Sequence, residues 1–338
     1  MRDWPDGLYP SGMAQSRNIL LTGSSGWLGR HLAPLLIEAG YTPCGFDIAP
    51  GPYTNVIGDL AEKSAVPALF AAHRFEGVIH AAALHKPDIV RYPKQTFIDV
   101  NVSGTLALLE AASRAKVPFV FTSTTSLMIS QRIRDEAGTE AVWLDEDTGP
   151  LEPRNIYGAT KLAAEVLCRE AHLDHGLPVI ILRTSRFFPE EDDTIRDVPG
   201  PNLKANEFLN RRASVRDMAR AHLLSLQKAP EIGFGLYLVS APTPFRRADV
   251  QRLKQDAAGL IRERFSDAEA LYHRAGWQLP PSIGRVYDGS RITQELGFTY
   301  EMDFAVILDA LRRGAPPPLD HDPSYTSPAI GLLPGRSR

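Results

Sequence analysis

Thr22-Gly23-Ser24-Ser25-Gly26-Trp27-Leu28-Gly29 is the stretch that decides the fold of this chain. It follows a short apolar run, Ile19-Leu20-Leu21, and opens the segment Trp27–Ala39, where Leu28, Leu32, Leu35 and Leu36 make one helical stripe that Gly40 ends. The spacing is GxxGxxG between a strand and a helix. Glycine allows the tight turn and lets backbone approach a pyrophosphate, the last glycine lets helix and strand pack closely, and the helix N-terminus supplies N–H donors. Any tight strand-to-helix turn needs small residues, so the context carries the reading. Gly23, Ser25, Gly26, Trp27, Leu28 and Gly29 are therefore read as a dinucleotide cradle.

The chain on either side continues the pattern. Strand-like runs at Thr42–Asp47, Val78–Ala81, Val117–Phe121 and Val179–Leu182 alternate with helical segments near Lys63–His73, Thr105–Arg114 and Tyr157–His175. That alternation predicts an α/β protein, a Rossmann-type doubly wound parallel sheet. Asp47 ends the second strand, where a carboxylate accepts hydrogen bonds from the adenosine ribose hydroxyls and repels a 2′-phosphate, so NAD is favoured over NADP. Its rival reading is a cap on the turn at Pro50 and Gly51; Arg30, just past the third glycine, is read as a solvated helix residue rather than a phosphate ligand.

After Arg183 the rhythm changes to a long loop with Pro189, the acidic stretch Glu190–Asp193, Pro199 and Pro201, then helices near Lys204–Arg212 and Arg216–Lys228 and a strand at Gly235–Ser240. The expected organisation is an N-terminal extension over 1–16, an NAD-binding Rossmann domain with the catalytic residues over 17–185, a smaller mainly helical substrate lobe over 186–313 whose chain can return to the sheet, and a Pro/Gly-rich tail over 314–338.

A net charge of −3 gives no nucleic-acid footprint, and no apolar run is long enough to span a membrane. The first sixteen residues lack an apolar signal core, so a cytoplasmic protein is expected. Cys44 and Cys168 are isolated, which predicts neither a disulfide framework nor a metal site.

Tyr157-Gly158-Ala159-Thr160-Lys161 has the form YxxxK at the start of a helix, a spacing that puts both side chains on one face. An ammonium beside a phenol favours the phenolate, so Lys161 is expected to lower the Tyr157 pKa. Tyr157 then exchanges a proton with a substrate oxygen while a nicotinamide exchanges hydride with the same carbon. An amphipathic helix with a half-buried Tyr and a surface Lys gives the same letters. The hydroxyl run Thr122-Ser123-Thr124-Thr125-Ser126 tips the balance, because it ends a strand where ligands bind in open α/β sheets.

Glycine turn, Asp47, hydroxyl run and YxxxK, in this order, resemble the extended short-chain dehydrogenase/reductases of the NAD-dependent epimerase/dehydratase family. Gly58-Asp59-Leu60, His80-Ala81-Ala82-Ala83, Asn101-Val102-Ser103-Gly104-Thr105 and Asp288–Phe298 are similar to further family elements, so the resemblance runs from about Asn18 to about Leu311. It implies Tyr157 as acid/base, Lys161 on the nicotinamide ribose, and Thr124 as the catalytic hydroxyl with Ser123 as rival. It places Asp59, Leu60, Ala81, Ala82, Ala83, Asn101, Thr122, Thr184 and Ser185 along the cofactor. His85, Ser126, Arg186, Asn206 and Arg211 are candidate substrate residues, with Lys86, Lys204 and Arg212 near them. It also implies a homodimer through the Thr105–Arg114 and Tyr157 helices.

The sequence departs from the nucleotide-sugar pattern in two places. Arg186 stands where an Asn is usual, suited to a carboxylate or phosphate or else paired with Glu190–Asp193, and Gly284-Arg285-Val286-Tyr287 replaces a phosphate-gripping segment. Thr125 and Ser126 occupy the places of a dehydratase's acidic pair, which disfavours dehydration. The reading is an NAD-dependent oxidoreductase or epimerase acting at a carbinol or carbonyl carbon of a sugar or nucleotide-sugar-like small molecule. Two alternatives stand beside it: a dehydrogenase of a hydrophobic alcohol of steroid or flavonoid-reductase type, with Trp143, Phe187 and Phe188 around it, and a non-catalytic NAD(P)-binding sensor.

Overall fold

A computed structural model describes residues 17–190 and 198–326. The N-terminal extension (1–16), Glu191 to Asp193 of the acidic stretch, and the tail beyond 326 lie outside the described residues. In chain order the elements are β1 (Asn18–Thr22), α1 (Trp27–Glu38), β2 (Thr42–Asp47), β3 (Val56–Ile57), α2 (Ala65–Ala72), β4 (Gly77–His80), α3 (Lys94–Ile98) and α4 (Gly104–Ala115). Then come β5 (Phe119–Thr124), α5 (Gln131–Arg134), β6 (Val142–Leu144), α6 (Ile156–His175), β7 (Val179–Thr184), α7 (Gly200–Glu207), α8 (Val215–Ile232) and β8 (Phe234–Val239). The rest is α9 (Val250–Arg264), α10 (Ala268–Arg274), β9 (Arg285–Tyr287), α11 (Ser290–Leu296) and α12 (Phe304–Arg312).

Seven strands form one parallel sheet in the order β3-β2-β1-β4-β5-β7-β8. Every residue of β5 and β7 is buried, as a parallel sheet covered on both faces requires. Alternate residues of β1 feed two cores. Ile19 and Leu21 pack with α1 (Leu28, Leu32, Leu36) and α8 (Met218, Ala221), whereas Leu20 packs with α4 (Leu108, Leu109) and α6 (Ala164, Cys168). The strand order reverses between β1 and β4, so a crevice opens at their carboxyl ends, where such sheets bind ligands.

Beyond residue 186 the chain returns to the sheet. α8 covers the sheet face beside α1, and β8 pairs with β7 in register from Val179↔Phe234 to Thr184↔Val239, so residues 215–239 belong to the sheet domain. The long apolar face of α8 finds its partner on the sheet, which draws the chain back. The smaller lobe is made of α7, α9, α10, α11, α12 and the parallel pair β6–β9. These last two strands are three residues each and lie far apart in sequence, and neither carries a period long enough to read.

Candidate active site

The crevice is a cleft of about 820 Å³ running from the glycine turn, past the ends of β4, β5 and β7, to β9. Its volume is near the upper end for small-molecule sites. At one end the turn is built as its sequence requires. Gly23 has φ +76°, and a Cβ there would lie 2.7 Å from Ala82 N; a Cβ on Gly29 would lie 2.3 Å from Gly23 O. Side chains at either place would push the turn off the Ala81–Ala82 loop or α1 off the turn. Gly29 is therefore a packing residue and does not itself line the cleft, whereas Gly23, Ser25, Gly26, Trp27 and Leu28 do.

Asp47 is both a cleft residue and a turn anchor. Its Oδ2 accepts the Ser25 N–H at 2.9 Å and its Oδ1 the Ala49 N–H at 3.0 Å. Burial raises its pKa against those two bonds and the nearby Arg30. Arg30 donates through Nε to Ser25 O at 2.8 Å, so it braces the turn. Asp59, whose Oδ1 accepts the Ala61 N–H, lines the same end with Leu60.

A buried polar chain holds the loop after β4. Thr105 donates to Asn101 O (2.7 Å), so it accepts from His80 Nε2–H (2.9 Å). His80 Nδ1 is then left to accept from the Thr22 hydroxyl (2.7 Å), which itself accepts the Ala82 N–H (3.1 Å). Burial, with Lys161 nearby, keeps His80 neutral, its pKa well below the ordinary value. Ala81, Ala82 and Ala83 thereby line the cleft. Asn101 does not. A π-turn over Asp99–Ser103 turns its amide inward, where it accepts from Leu84 N and donates to Leu84 O (both 2.8 Å) and to Thr160 Oγ1 (3.1 Å). It shapes the loop from behind, and a linear reading of the chain has no signal for that rotation.

The hydroxyl run sorts its members by direction. Ser123 lies at the cleft as well, but its hydroxyl donates to Glu165 Oε1 at 2.6 Å, beside the buried ion pair Glu165–Arg183 (2.7 Å). Thr122 has its hydroxyl against His222 Nε2 (2.8 Å), and its carbonyl accepts from Lys161 Nζ (2.8 Å). Thr184 is tied by its hydroxyl to Ser123 O, Ser185 is buried beside it, and Ser126 lines the cleft.

Tyr157 faces the cleft from the first turn of α6, and Thr124 lines the same cleft. Burial pushes the Tyr157 phenol up to about 12, offset in part by Thr124 and reinforced by Asp88. The expected lowering by Lys161 is absent, because that ammonium is bonded to the Thr122 carbonyl and lies 4.6 Å from the Phe121 ring centre. Lys161 is buried, and desolvation brings it down to about 7.

Beyond Tyr157 the wall is basic and aromatic: Arg134, Arg154, Arg186, Arg211 and Arg285, with Phe187, Phe188 and Tyr287. Partial burial and the neighbouring Arg134 and Arg285 lower the Arg154 pKa, a sign that these cations converge. Arg186 and Arg211 are oriented by buried Glu207, at 3.3 and 3.0 Å, so a described partner of Arg186 is Glu207 on α7. Arg212 takes the other oxygen of Glu207 at 2.9 Å and donates to Phe188 O. His85 stacks on Phe188 with ring centres 5.4 Å apart. Asn206 falls outside the cleft, because α7 turns it toward the Gln278 carbonyl (3.1 Å), and Lys204 donates to Pro189 O and Asp320 O. Trp143 is likewise outside, on β6, bonded to Asp288. Among the described residues no His/Cys/Asp/Glu group could hold a metal ion, and no helix is long and apolar enough to cross a membrane.

The sequence reading missed the arginines at 134, 154 and 285, which belong to separate elements, and Tyr325 and Thr326, which reach the turn end from the C-terminal segment. Nothing local marks any of them.

The glycine turn, Asp47 and the open alanine loop fit a dinucleotide. Comparison with known proteins agrees. The model of the NAD dependent epimerase/dehydratase family matches residues 19–199. The UDP-glucose 4-epimerase of Azospirillum brasilense is 31% identical over 179 residues, covering 50% of this chain and 49% of that protein. Human dTDP-D-glucose 4,6-dehydratase is 26% identical over 292 residues, 77% of this chain and 78% of the other. The chain spans about half the length of the first curated relatives it matches. A short-chain dehydrogenase/reductase superfamily protein from Agrobacterium tumefaciens, solved with bound NAD, superposes with a TM-score of 0.60 at 26% identity over 88% of this chain and 97% of its own. With cleft, sheet order and a match over more than half of its length in agreement, this chain belongs to the NAD dependent epimerase/dehydratase family.

Proposed function

We propose that the protein moves hydride and a proton at a carbinol or carbonyl carbon of a sugar or nucleotide-sugar-like substrate, with Tyr157 as acid/base, Thr124 holding the same substrate oxygen, and Lys161 as the positioning cation. The observation that carries this is that Thr124, Tyr157 and Lys161 line the same cleft that begins at the glycine turn. NAD bound along Gly23–Leu28 and Asp47 would supply the hydride acceptor. The other steps belong to the chain. Tyr157 with its pKa near 12 rests as a phenol, suited to give a proton to a substrate carbonyl oxygen in the reductive direction; oxidation of a carbinol needs its phenolate, which takes the carbinol proton as hydride leaves the carbon. Thr124 acts to lower the Tyr157 pKa and so favours the phenolate left behind. Lys161 holds the end of β5 through Thr122 O and keeps a proton donor beside the ribose region.

The converging arginines favour a substrate with an anionic group, a diphosphate or a carboxylate, over a hydrophobic alcohol. Thr124, Tyr157 and Lys161 together give no reason to prefer a sensor. We further propose a homodimer through α4 and α6, which present Leu106 (38% exposed), Val166 (61%) and Leu173 (72%) outward. The test is a panel of sugars, sugar acids, nucleotide sugars and sterols with NAD, following NADH absorbance and product identity. Tyr157→Phe is expected to lose about 10²–10⁴-fold in kcat with NAD affinity unchanged. Undiminished turnover in that variant would refute the assignment.

A further inference from the structure

One buried cation on the cleft wall has no counter-ion. Arg285 opens β9, which is held from two directions: Val142 N donates to Gly284 O at 2.9 Å, while Asn210 Nδ2 donates to Arg285 O and Tyr287 N to Asn210 O, both at 2.8 Å. The pleat sends Val286 into the core and leaves Arg285 and Tyr287 on the cleft side. Arg285 is 8% exposed, its Nε has no hydrogen-bond partner, and no carboxylate forms a salt bridge with it among the described residues. The carboxylates that act on it from nearby, Glu136 and Glu207, are engaged elsewhere. Glu136 accepts from Lys254 Nζ at 2.9 Å, and Glu207 takes Arg211 and Arg212 at 3.0 and 2.9 Å. A buried guanidinium without a partner is destabilising, so its completion is left to a group that enters the cleft.

Arg154 ties this cation to the reacting end. It stands three residues before Tyr157, next to the Asn155 cap of α6, lines the same cleft, and also lacks an ion pair among the described residues. Arg134 and Arg285 both act on its charge. Three residues of chain span at most about 11 Å, so an anion at Arg154 and an oxygen at Tyr157 can belong to one sugar unit. The wall offers little to anything larger. Phe188 stacks on Phe187 and on His85, ring centres 4.5 and 5.4 Å apart, and Tyr287 is buried, so these aromatic faces are covered against a second base. Asn206 and Trp143 are turned away from the cleft toward Gln278 O and Asp288. We propose that Arg285, with Arg154 at the rim, is the specificity residue for a terminal anion on a single sugar unit, a carboxylate or a phosphate ester, rather than for the diphosphate of a nucleotide sugar. The guanidinium fork takes either anion bidentately. The inference rests on the reading of Tyr157 as acid/base, which sets the reacting end.

The experiment is calorimetric titration of the NAD-saturated full chain with D-glucuronate, D-glucose 6-phosphate, UDP-glucose and D-glucose, in the parent, Arg285→Met and Arg285→Lys. The parent is expected to bind one of the two small anions at least about tenfold more tightly than glucose or UDP-glucose, and the better of the two identifies the anion as carboxylate or phosphate ester. Arg285→Met should lose about 10- to 100-fold in affinity for that anion, with glucose and NAD affinity unchanged. Arg285→Lys keeps the charge without the fork and should recover part of the loss. Thermal unfolding without ligand gives a second readout: Arg285→Met should be at least as stable as the parent, because it removes a buried charge that has no counter-ion in the fold. A less stable Arg285→Met, a preference that survives in it, UDP-glucose bound most tightly, or a parent that favours neither small anion over glucose overturns the proposal. The same titrations in Tyr157→Phe separate the two readings. Turnover surviving Tyr157→Phe while the anion preference holds overturns the acid/base assignment, whereas loss of turnover in Tyr157→Phe with no anion preference in the parent overturns the Arg285 subsite alone.

Discussion

Lys161→Met separates catalysis from stability more cleanly than any other single change. Lys161 is 3% exposed, bonded to one carbonyl and set against Phe121, and no carboxylate forms a salt bridge with it among the described residues. Desolvation brings its pKa from 10.5 to about 7, with Cys168 and Glu165 pulling weakly the other way. At about 1.4 kcal/mol per pK unit, the shift caps the folding penalty of the buried ammonium near 5 kcal/mol. Relaxation around the charge reduces the expected gain on its removal to about 2–4 kcal/mol. A lysine whose folded pKa is depressed holds fewer protons in the folded than in the unfolded protein between pH 7 and 10.5, so parent stability rises with pH across that window. Below pH 7 both states carry the charge and the whole penalty stands. The variant's advantage should therefore be largest near pH 6, fall to about half by pH 9, and vanish above about pH 10.5. Urea unfolding followed by the fluorescence of the four tryptophans, at about pH 6, 7.5 and 9, measures it, because the other groups titrate alike in both proteins. Turnover should be lost at every pH. A variant less stable than the parent at pH 6, or a difference that does not shrink with pH, refutes the reasoning.

Gly29→Ala should lose at least about tenfold in NAD affinity and about 1–3 kcal/mol in stability, since its Cβ would sit 2.3 Å from Gly23 O and 2.7 Å from Ser24 Cα; titration and urea unfolding read both. Glu165→Gln leaves the Arg183 guanidinium buried without its carboxylate, and thermal unfolding should show a loss of about 3 kcal/mol. Glu207→Gln loosens the orientation of Arg186 and Arg211, so KM for an anionic sugar should rise about tenfold while kcat changes little; an equal loss in kcat would place those arginines at the reacting carbon instead.

The cofactor end was legible because there the distance along the chain is the distance in space. Gly23 to Gly29 is one turn and one helical start, and Tyr157 and Lys161 are neighbours by the helical repeat alone. Asp47 was legible as a carboxylate at a strand end. What the letters left open was whether it caps a turn or faces a ligand. It does the first with two amides and lies on the cleft wall as well. Side-chain direction was less readable. Ser123 and Thr124 are adjacent in one strand, so pleating alone sends one toward Glu165 and the other toward Tyr157. Asn101 escaped because a π-turn rotated it.

The substrate end has no such shortcut. Arg134 closes a short helix, Arg154 precedes α6, Arg186 follows β7, Arg211 follows α7, and Arg285 opens β9. Arg186 and Arg211 were substrate candidates from the sequence, but Arg134 and Arg154 are ordinary surface arginines to a local reading, and only the return of the chain through α8 and β8 and the pairing of β6 with β9 bring all five to one wall. Glu207 is the hinge of that arrangement, buried and shared by Arg186, Arg211 and Arg212. The electrostatics of Tyr157 and Lys161 invert the simple rule for the same reason. An ammonium four residues from a phenol lowers its pKa only if the charge points at it, and here the Thr122 carbonyl claims the charge while burial acts on both groups. The proton transfer proposed for Tyr157 therefore depends on what enters the cleft beside it. A cation drawn to the phenol oxygen, or a substrate oxygen within reach of Thr124, would have to supply the stabilisation that Lys161 gives to the strand.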